Sequence, residues 1–529
     1  MHRCLLVTEI FQLIAQFADL APSDHPSPSA VLAQTCRHFH EPALDIRWRA
    51  LISLCPLLAC FPDDVCVKDT KETYTFTSQP ILPAHWTRFQ HYSHRVRSIH
   101  CSDHNSGLTS VGFRTLDLYR PGDPKIPLLP NLQELYWDDF RPGVAPYIRL
   151  FIQPALVTFH IISVSNPSLI AGFLDALARH APALERLRIR SPRARPSPVQ
   201  HGEAASQRAI MVTHTLSRAL CSLRSLSELV IRVPPLGADH LLSLAHLPNL
   251  EILSCSLLDP GGDSMDASSL ASSDADLQWW QFPALRRLDV TARDISAVSA
   301  LIRAISSSHL IKISVHLETQ PKATCVQDLF HALSTHHRNM REISILLSLR
   351  NSSDLMLNAT SEGHLLTSTT LRPLLRLHAL SHLYFVQLPF DLDDDFVQHA
   401  SLAWPSLKKL SLGTMVRGRT TGVTMDGLRA LAARCVCLQE LALAIDIVPQ
   451  NGLLGRRQCE ASNLKTLDIG CTSIPADDVG RFINFVAQVF PHCNVCDSHD
   501  PFDNVRNKQI ERLKLGIVQT HENGYSNSC

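Results

Sequence analysis

The residues best suited to chemistry lie near the end of the chain. Cys493 and Cys496 form a Cys-x-x-Cys with His492 and His499 beside it, and thiolates and imidazoles at that spacing could clip a zinc ion. A structural zinc site takes four ligands, usually from paired knuckles. No second knuckle is evident, since Cys435 and Cys437 stand one residue too close for the usual spacing. The acidic run Asp391, Asp393, Asp394 and Asp395 could hold a cation, but it lacks the calcium-loop pattern. Its flanks suit a loop and a helix start, where carboxylates complement the helix dipole. Histidines are numerous, yet the pair His336–His337 falls at an expected helix end, a place favourable to partial positive charge. Nothing resembles a phosphate-cradling loop, a Gly-x-Ser-x-Gly elbow or a dinucleotide fingerprint. The expectation is a protein with no catalytic residue, no metal and no cofactor; a metal-dependent enzyme or hydrolase with an unrecognised site is a further alternative.

Composition bounds the class. The chain has 529 residues, of which 45% are hydrophobic and 19% charged, as in folded proteins rather than disordered ones. That length exceeds one compact core, so several domains or an elongated repeat array is expected. Lysine plus arginine number 49 and aspartate plus glutamate number 49, which leaves no net field for a polyanion and argues against nucleic acid as a partner. The 16 cysteines are scattered and often occupy apolar positions, as expected of reduced, mostly buried thiols. Glu9, Gln12, Gln16 and Asp19 interrupt the apolar N-terminus, which suits an amphipathic helix better than a secretory segment. The stretch Leu51 to Phe61 contains Pro56 and is too short to cross a bilayer. A soluble chain in the cytoplasm, the nucleus or both is expected, with no membrane partner.

The elements that would position binding groups are repetitive. Five segments read Pro-x-Leu-x-x-Leu-x-apolar: PNLQELYW from Pro130, PALERLRI from Pro182, PNLEILSC from Pro248, PALRRLDV from Pro283 and PSLKKLSL from Pro405. A looser apolar-x-x-apolar-x-apolar pattern begins at Val96, Phe113, Leu156, Leu226, Leu310, Met340, Leu380, Leu438 and Leu464. From Val96 to Leu464 the starts average about 28 residues apart, within the leucine-rich-repeat range. Helices are expected between them over Leu169 to His180, Ile295 to Ser306, Cys325 to His336, Gly427 to Cys435 and Val479 to Phe490. Asp294 and Thr424 occupy N-cap positions, and Pro475 suits a first helical turn. Strand and helix alternating at this period predict an α/β fold: a curved leucine-rich-repeat solenoid with short parallel strands inside and helices outside.

The leucines are then structural, and binding chemistry belongs to the residues between them. On the strands these point outward to line the concave face: Glu134 and Tyr136, Arg186 and Arg188, Arg287 and Asp289, Lys409 and Ser411, Glu440 and Ala442. Their chemistry is mixed and names no ligand; a protein target is the expected class. Polar insertions over Ser191 to Ala205, Asp259 to Asp276 and Asn351 to His364 read as loops leaving the array.

The first fifty residues form a separate module. Leu6, Ile10, Leu13, Ile14 and Phe17 share one helical face, and Val31, Leu32, Cys36 and Phe39 another. A bundle this small buries little core and exposes many apolar side chains, so it should dock on something. The segment resembles an F-box. Leu6, Glu9 and Ile10 match the opening Leu-Pro-x-Glu-Ile, with Val7 in place of the proline; Cys36 and Arg37 match the Val-Cys-Lys-x-Trp element, with Thr35 and Phe39 for valine and tryptophan; Trp48 matches the terminal tryptophan. The phrase TCRHFHEPALDIRW followed by LLACFPDD also resembles the start of fungal F-box proteins with leucine-rich tails.

That resemblance implies a small all-α F-box bundle preceding the solenoid. Its partner would be a Skp-type adaptor and, through it, a cullin ubiquitin ligase, contacted by Leu6, Val7, Ile10, Ile14, Leu32, Cys36 and Trp48. The division expected is 1–50 for the F-box-like module, 51–92 for a connector, 93–497 for the solenoid and 498–529 for a polar tail. The implied function is substrate recognition for a Skp–cullin–F-box E3 ligase, with the chemistry of ubiquitination on other subunits. The alternative is a leucine-rich-repeat interaction scaffold outside any ligase.

Overall fold

The computed structural model describes residues 7–19, 27–69, 73–102, 107–122, 127–139, 141, 143–162, 167–190, 216–258, 280–348, 362–412, 422–447, 463–469, 472, 477–490 and 493–496. The chain divides into two compact units, Met1–Pro234 with Asp239–Leu250, and Pro235–Ala238 with Glu251–Cys529.

The first unit opens with three helices, α1 (Thr8–Asp19), α2 (Pro28–Leu32) and α3 (Arg37–Arg49). Ser27 caps α2, accepting from the Ala30 N–H at 3.4 Å, and Asp19 at the end of α1 accepts from the Ser29 N–H at 2.9 Å. A small core of Phe11, Ala15, Ala33, Phe39 and Ala43 closes the bundle, with the Phe11 and Phe39 rings stacked at 4.2 Å. Its material is one aromatic pair among alanines, so most of the apolar surface of α1 finds no place inside.

Helix α3 runs directly into β1 (Ala50–Leu51), which pairs in parallel with β4 (Ser98–Ser102). Between these strands lie α4 (Cys55–Leu58), a hairpin of β2 (Cys66–Lys68) and β3 (Tyr74–Phe76), and α5 (Trp86–Ser93). The rings of Phe61, Phe76, Trp86 and Phe89 pack together, Phe61 standing 5.2 Å from Trp86 and 5.6 Å from Phe76. The segment expected as a connector thus carries an aromatic core of its own.

From β4 the first unit builds a parallel ladder through β5 (Glu134–Asp138), β6 (Thr158–Ile162), β7 (Arg186–Arg190) and β8 (Glu228–Leu236). Interleaved are α6 (Ser110–Tyr119), a 3-10 turn over Ala145–Phe151 and α7 (Pro167–His180). The second unit repeats the scheme with β9 (Ile252–Leu257), β10 (Arg287–Ala292), β11 (Lys312–Leu317), β12 (Glu342–Leu347), β14 (His382–Val386), β16 (Lys409–Leu412), β17 (Glu440–Leu443), β18 (Thr466–Asp468) and β19 (Asn494–Cys496). A short side pair joins β13 (Leu366–Thr367) to β15 (Phe390–Asp391). Helices Ile295–Ala304, Ala323–His336, Asp394–Ala403, Met425–Arg434 and Val479–Val489 fill the crossovers, as parallel strands require.

The register explains the sequence pattern. Strand side chains alternate, so the second and third apolar residues of each copy point inward, as Leu187 and Ile189, Leu288 and Val290, and Leu441 and Leu443 do, each 2% exposed or less. The leading residue of each copy, such as Leu184, Leu285 or Met340, is buried in the preceding turn. An asparagine just before that residue recurs as a tie between repeats: Asn131 donates to the His94 carbonyl at 2.8 Å and Asn463 to the Val436 carbonyl at 2.9 Å. Each unit is therefore a leucine-rich-repeat type of ladder, α/β in class.

Two expectations are corrected. The copy placed at Phe113 is helix α6, not a strand; Thr109 caps it, accepting from the Gly112 N–H at 3.2 Å, and Phe113 and Leu116 form its buried face. Spacing of three residues serves both periods, and the cap decides. His337 was expected to favour positive charge at a helix end. Instead it is buried, with Nδ1 3.2 Å from the Ser307 carbonyl and Nε2 3.2 Å from the Ile302 carbonyl, and burial lowers its pKa against both contacts. Asp294 and Thr424 are the caps foreseen for them. Pro475 and the polar tail from Ser498 lie outside the described residues, as do the insertions apart from Glu362–His364, a 3-10 turn.

Candidate binding surfaces

The first surface is the outer face of α1. Val7, Ile10, Leu13, Ile14 and Phe17, at three- and four-residue spacing, are 44%, 40%, 54%, 46% and 71% exposed, and Val31 on α2 is 52% exposed. Five large apolar side chains thus form one contiguous exposed stripe rather than scattered surface residues. Leu6 lies outside the described residues. Leu32 packs partly against the core of the module, Cys36 is the exposed N-cap of α3, and Trp48 stacks on Tyr92 with centroids 4.3 Å apart. Val7, Ile10 and Ile14 thus share a stripe that Leu32, Cys36 and Trp48 do not join. Leu13 and Phe17 complete it; their spacing had put them on that face, but they had not been counted as contacts.

The module is tied down at its other end. Arg95, with 5% of its side chain exposed, pairs with both Glu41 and Asp45 of α3, and its hydrogen bond, then its charge, hold the Glu41 carboxyl below the ordinary range against desolvation. The Arg97 N–H donates to the Arg49 carbonyl at 2.8 Å.

The second surface is the outward row of the strands. In the first unit Glu134, Thr158, Arg186 and Glu228 fall in one register position, and Tyr136, His160 and Arg188 in the next. Arg186 donates to the Thr158 hydroxyl at 2.9 Å and sits 3.8 Å from Glu134; Arg188 donates to Glu228 at 2.7 Å. Tyr136 meets His160 edge to face at 5.8 Å. Burial, then Arg190 and Arg188, push His160 down to about 4, while burial and Glu134 push the Tyr136 phenol up. Glu134, Tyr136, Arg186 and Arg188 are therefore brought together as one cluster.

In the second unit Arg287, Lys312, Glu342, His382, Lys409 and Glu440 share one register position. Lys312 pairs with Glu342 and Lys409 with Glu440, both at 2.5 Å, and Lys409 also lies over the Tyr384 ring at 5.1 Å. Burial raises and Lys312 lowers the Glu342 carboxyl, which ends below the ordinary range. One position along, Asp289 accepts from Ser254 at 3.0 Å and faces His316 at 3.3 Å. Both signs of charge stand in the row and several pair across neighbouring strands, so it offers hydrogen-bonding shape rather than a field of one sign. Such half-exposed pairs contribute about 0–1 kcal/mol each to stability.

Several of the groups that could ligate a metal have structural partners. Asp393 caps the helix Asp394–Ala403, accepting from the Phe396 N–H at 2.8 Å. Asp394 accepts from both the backbone and the hydroxyl of Thr424, at 2.8 and 2.6 Å, and Asp395 lies 3.7 Å from Arg372. Cys435 is buried, its thiol pushed up to about 11 by burial, and Cys437 is exposed. Cys496 lies in β19, whose register partner is Asp468; His492 and His499 are outside the described residues. Among the described residues no group of three His, Cys, Asp or Glu side chains is arranged to hold a metal. No described helix is long and apolar enough to cross a membrane.

No known protein family matches the chain, and no curated protein matches it. Among solved structures it is similar to an internalin, InlF, from Listeria monocytogenes, at 12% identity over 70% of this chain and 76% of that one, TM-score 0.31. It is also similar to TLR13 in the TLR13–ssRNA13 complex, at 13% identity over 78% of this chain and 53% of that one, TM-score 0.28.

Proposed function

We propose that the chain is the substrate receptor of a Skp–cullin–F-box ubiquitin ligase. The observation that carries this reading is the stripe of Val7, Ile10, Leu13, Ile14 and Phe17, left in solvent by a bundle that has no room for it. Burying each such side chain on a Skp-type adaptor is worth roughly 1.5–3 kcal/mol before ordering costs. The outward strand rows hold a protein target, and ubiquitin transfer is accelerated by proximity, with the nucleophiles on other subunits.

Co-expression with a Skp-type adaptor tests this. A one-to-one complex is expected on size exclusion, lost on replacing Ile10→Asp together with Ile14→Asp, while the thermal midpoint of the free chain is unchanged. An intact chain that never co-elutes with the adaptor, or a double variant that still does, overturns it and leaves the ladder as a binding scaffold outside any ligase.

A further inference from the structure

We propose that a groove between the Ala145–Phe151 turn and α7 binds a small amphipathic anion, a carboxylate or phosphate head carried on an apolar body. The groove holds about 570 Å³, within the size of pockets that enclose small molecules. Ile148, Ile152 and Phe173 supply apolar lining, and Arg120, Arg149, Arg179 and His180 supply basic groups.

Among the described residues, positive charge there is only partly compensated. Asp117 lies 3.5 Å from Arg120 and 2.8 Å from Arg149, while Asp175 pairs with Arg179 and sits 3.5 Å from Arg218. Among the described residues the three groove arginines thus share two carboxylates, one of which also meets Arg218 outside the groove, before His180 is counted. Arg120 carries the sharpest imbalance: its side chain is 15% exposed and its Nε is buried with no hydrogen-bond partner among the described residues. Burial lowers its pKa, Asp117 opposes this and Arg149 adds to it. The buried Nε does not open onto the groove; an anion there supplies the missing charge, and acceptors for the exposed Arg149 and Arg179 guanidiniums.

A glycine keeps the groove open. Gly172 lies within α7, where glycine weakens a helix relative to alanine. A Cβ placed there meets nothing within 4 Å, so no close packing excludes a side chain. What the missing side chain leaves is room in the groove, whose wall Gly172 forms.

Calorimetric titration of the full chain with octyl phosphate, below its micelle-forming concentration, tests the site. Saturable one-to-one binding is expected, with inorganic phosphate and octyl glucoside each weaker by about tenfold or more. Arg149→Ala combined with Arg179→Ala, both largely exposed side chains, should weaken octyl phosphate by about tenfold or more. Gly172→Leu should do the same by filling the groove, with an unchanged or higher thermal midpoint showing that the fold is intact. Absent binding, binding matched by octyl glucoside, or affinity unchanged in either variant overturns the proposal.

Discussion

The indole of Trp48, the last aromatic of α3, lies nearly parallel to the phenol ring of Tyr92 in α5, 4.3 Å away and tilted by 18°. With Arg95 held between Glu41 and Asp45, this stack makes α3 the joint between the opening bundle and the repeats. Trp48→Ala should destabilise the first unit by about 1–2 kcal/mol, less than a fully buried tryptophan because Trp48 is only partly buried. Urea unfolding followed by far-UV dichroism measures it; a loss under 0.5 kcal/mol or so would remove the joint from the account.

Phe11 and Phe17 sit on one helix with opposite fates, 2% and 71% exposed. Phe11→Ala should cost about 3 kcal/mol, the price of a stacked core ring. Phe17→Ser should stay within about 0.5 kcal/mol of the parent. Equal losses in thermal melts would mean that the helix is rotated from the position described.

Asp394 and Thr424 are joined although thirty residues separate them. The carboxylate, at the helix start of one repeat, accepts from the N–H and the hydroxyl of the N-cap residue of another, so Asp394→Ala should cost about 1–2 kcal/mol. Gly427 is packed against the same carboxylate, and an added Cβ would collide with its Oδ1. Gly427→Ala should therefore destabilise, against its gain in helix propensity. Paired chemical denaturation of the two variants and their double gives the coupling; strict additivity would contradict it.

His160 gives stability a pH dependence. Burial, Arg190, Arg188 and His100 depress its folded pKa to about 4, with Glu228 opposing, whereas an unfolded histidine titrates near 6.5. Between those values the unfolded chain binds a proton that the folded chain refuses, so stability is full above neutral pH and falls as pH drops from about 6.5 toward 4. His337, also depressed by burial, acts in the same direction. Urea midpoints at pH 7.5 and pH 5 should show the loss, and His160→Asn should shrink it. A midpoint independent of pH in the parent chain would refute the assignment.

The ladder was legible because inward leucines recur at a spacing that only strand alternation and a preceding turn produce together. At Phe113 the same spacing belonged to a helix, and the Thr109 cap was the signal overlooked. Helix boundaries were read within a few residues from caps such as Asp294 and Thr424. The core of the N-terminal module was less visible. The larger apolar stripe of α1 drew attention, while the bundle closes on Phe11 and Ala15. Contacts such as Asp394 with Thr424, between stacked repeats, or Arg95 with Glu41, between the opening bundle and the ladder, depend on tertiary packing and leave no local trace in the chain.

Helix α1 buries only one ring and one methyl group, Phe11 and Ala15, and its Asp19 accepts one hydrogen bond from the Ser29 N–H. So few anchors make its opening nearly independent of the rest of the molecule. Amide hydrogens over Thr8–Asp19 should then exchange with deuterium far sooner than those of β10 or β11, which are paired on both sides. Any molecule that settles on this helix slows that exchange first, and the retardation becomes a direct gauge of occupancy.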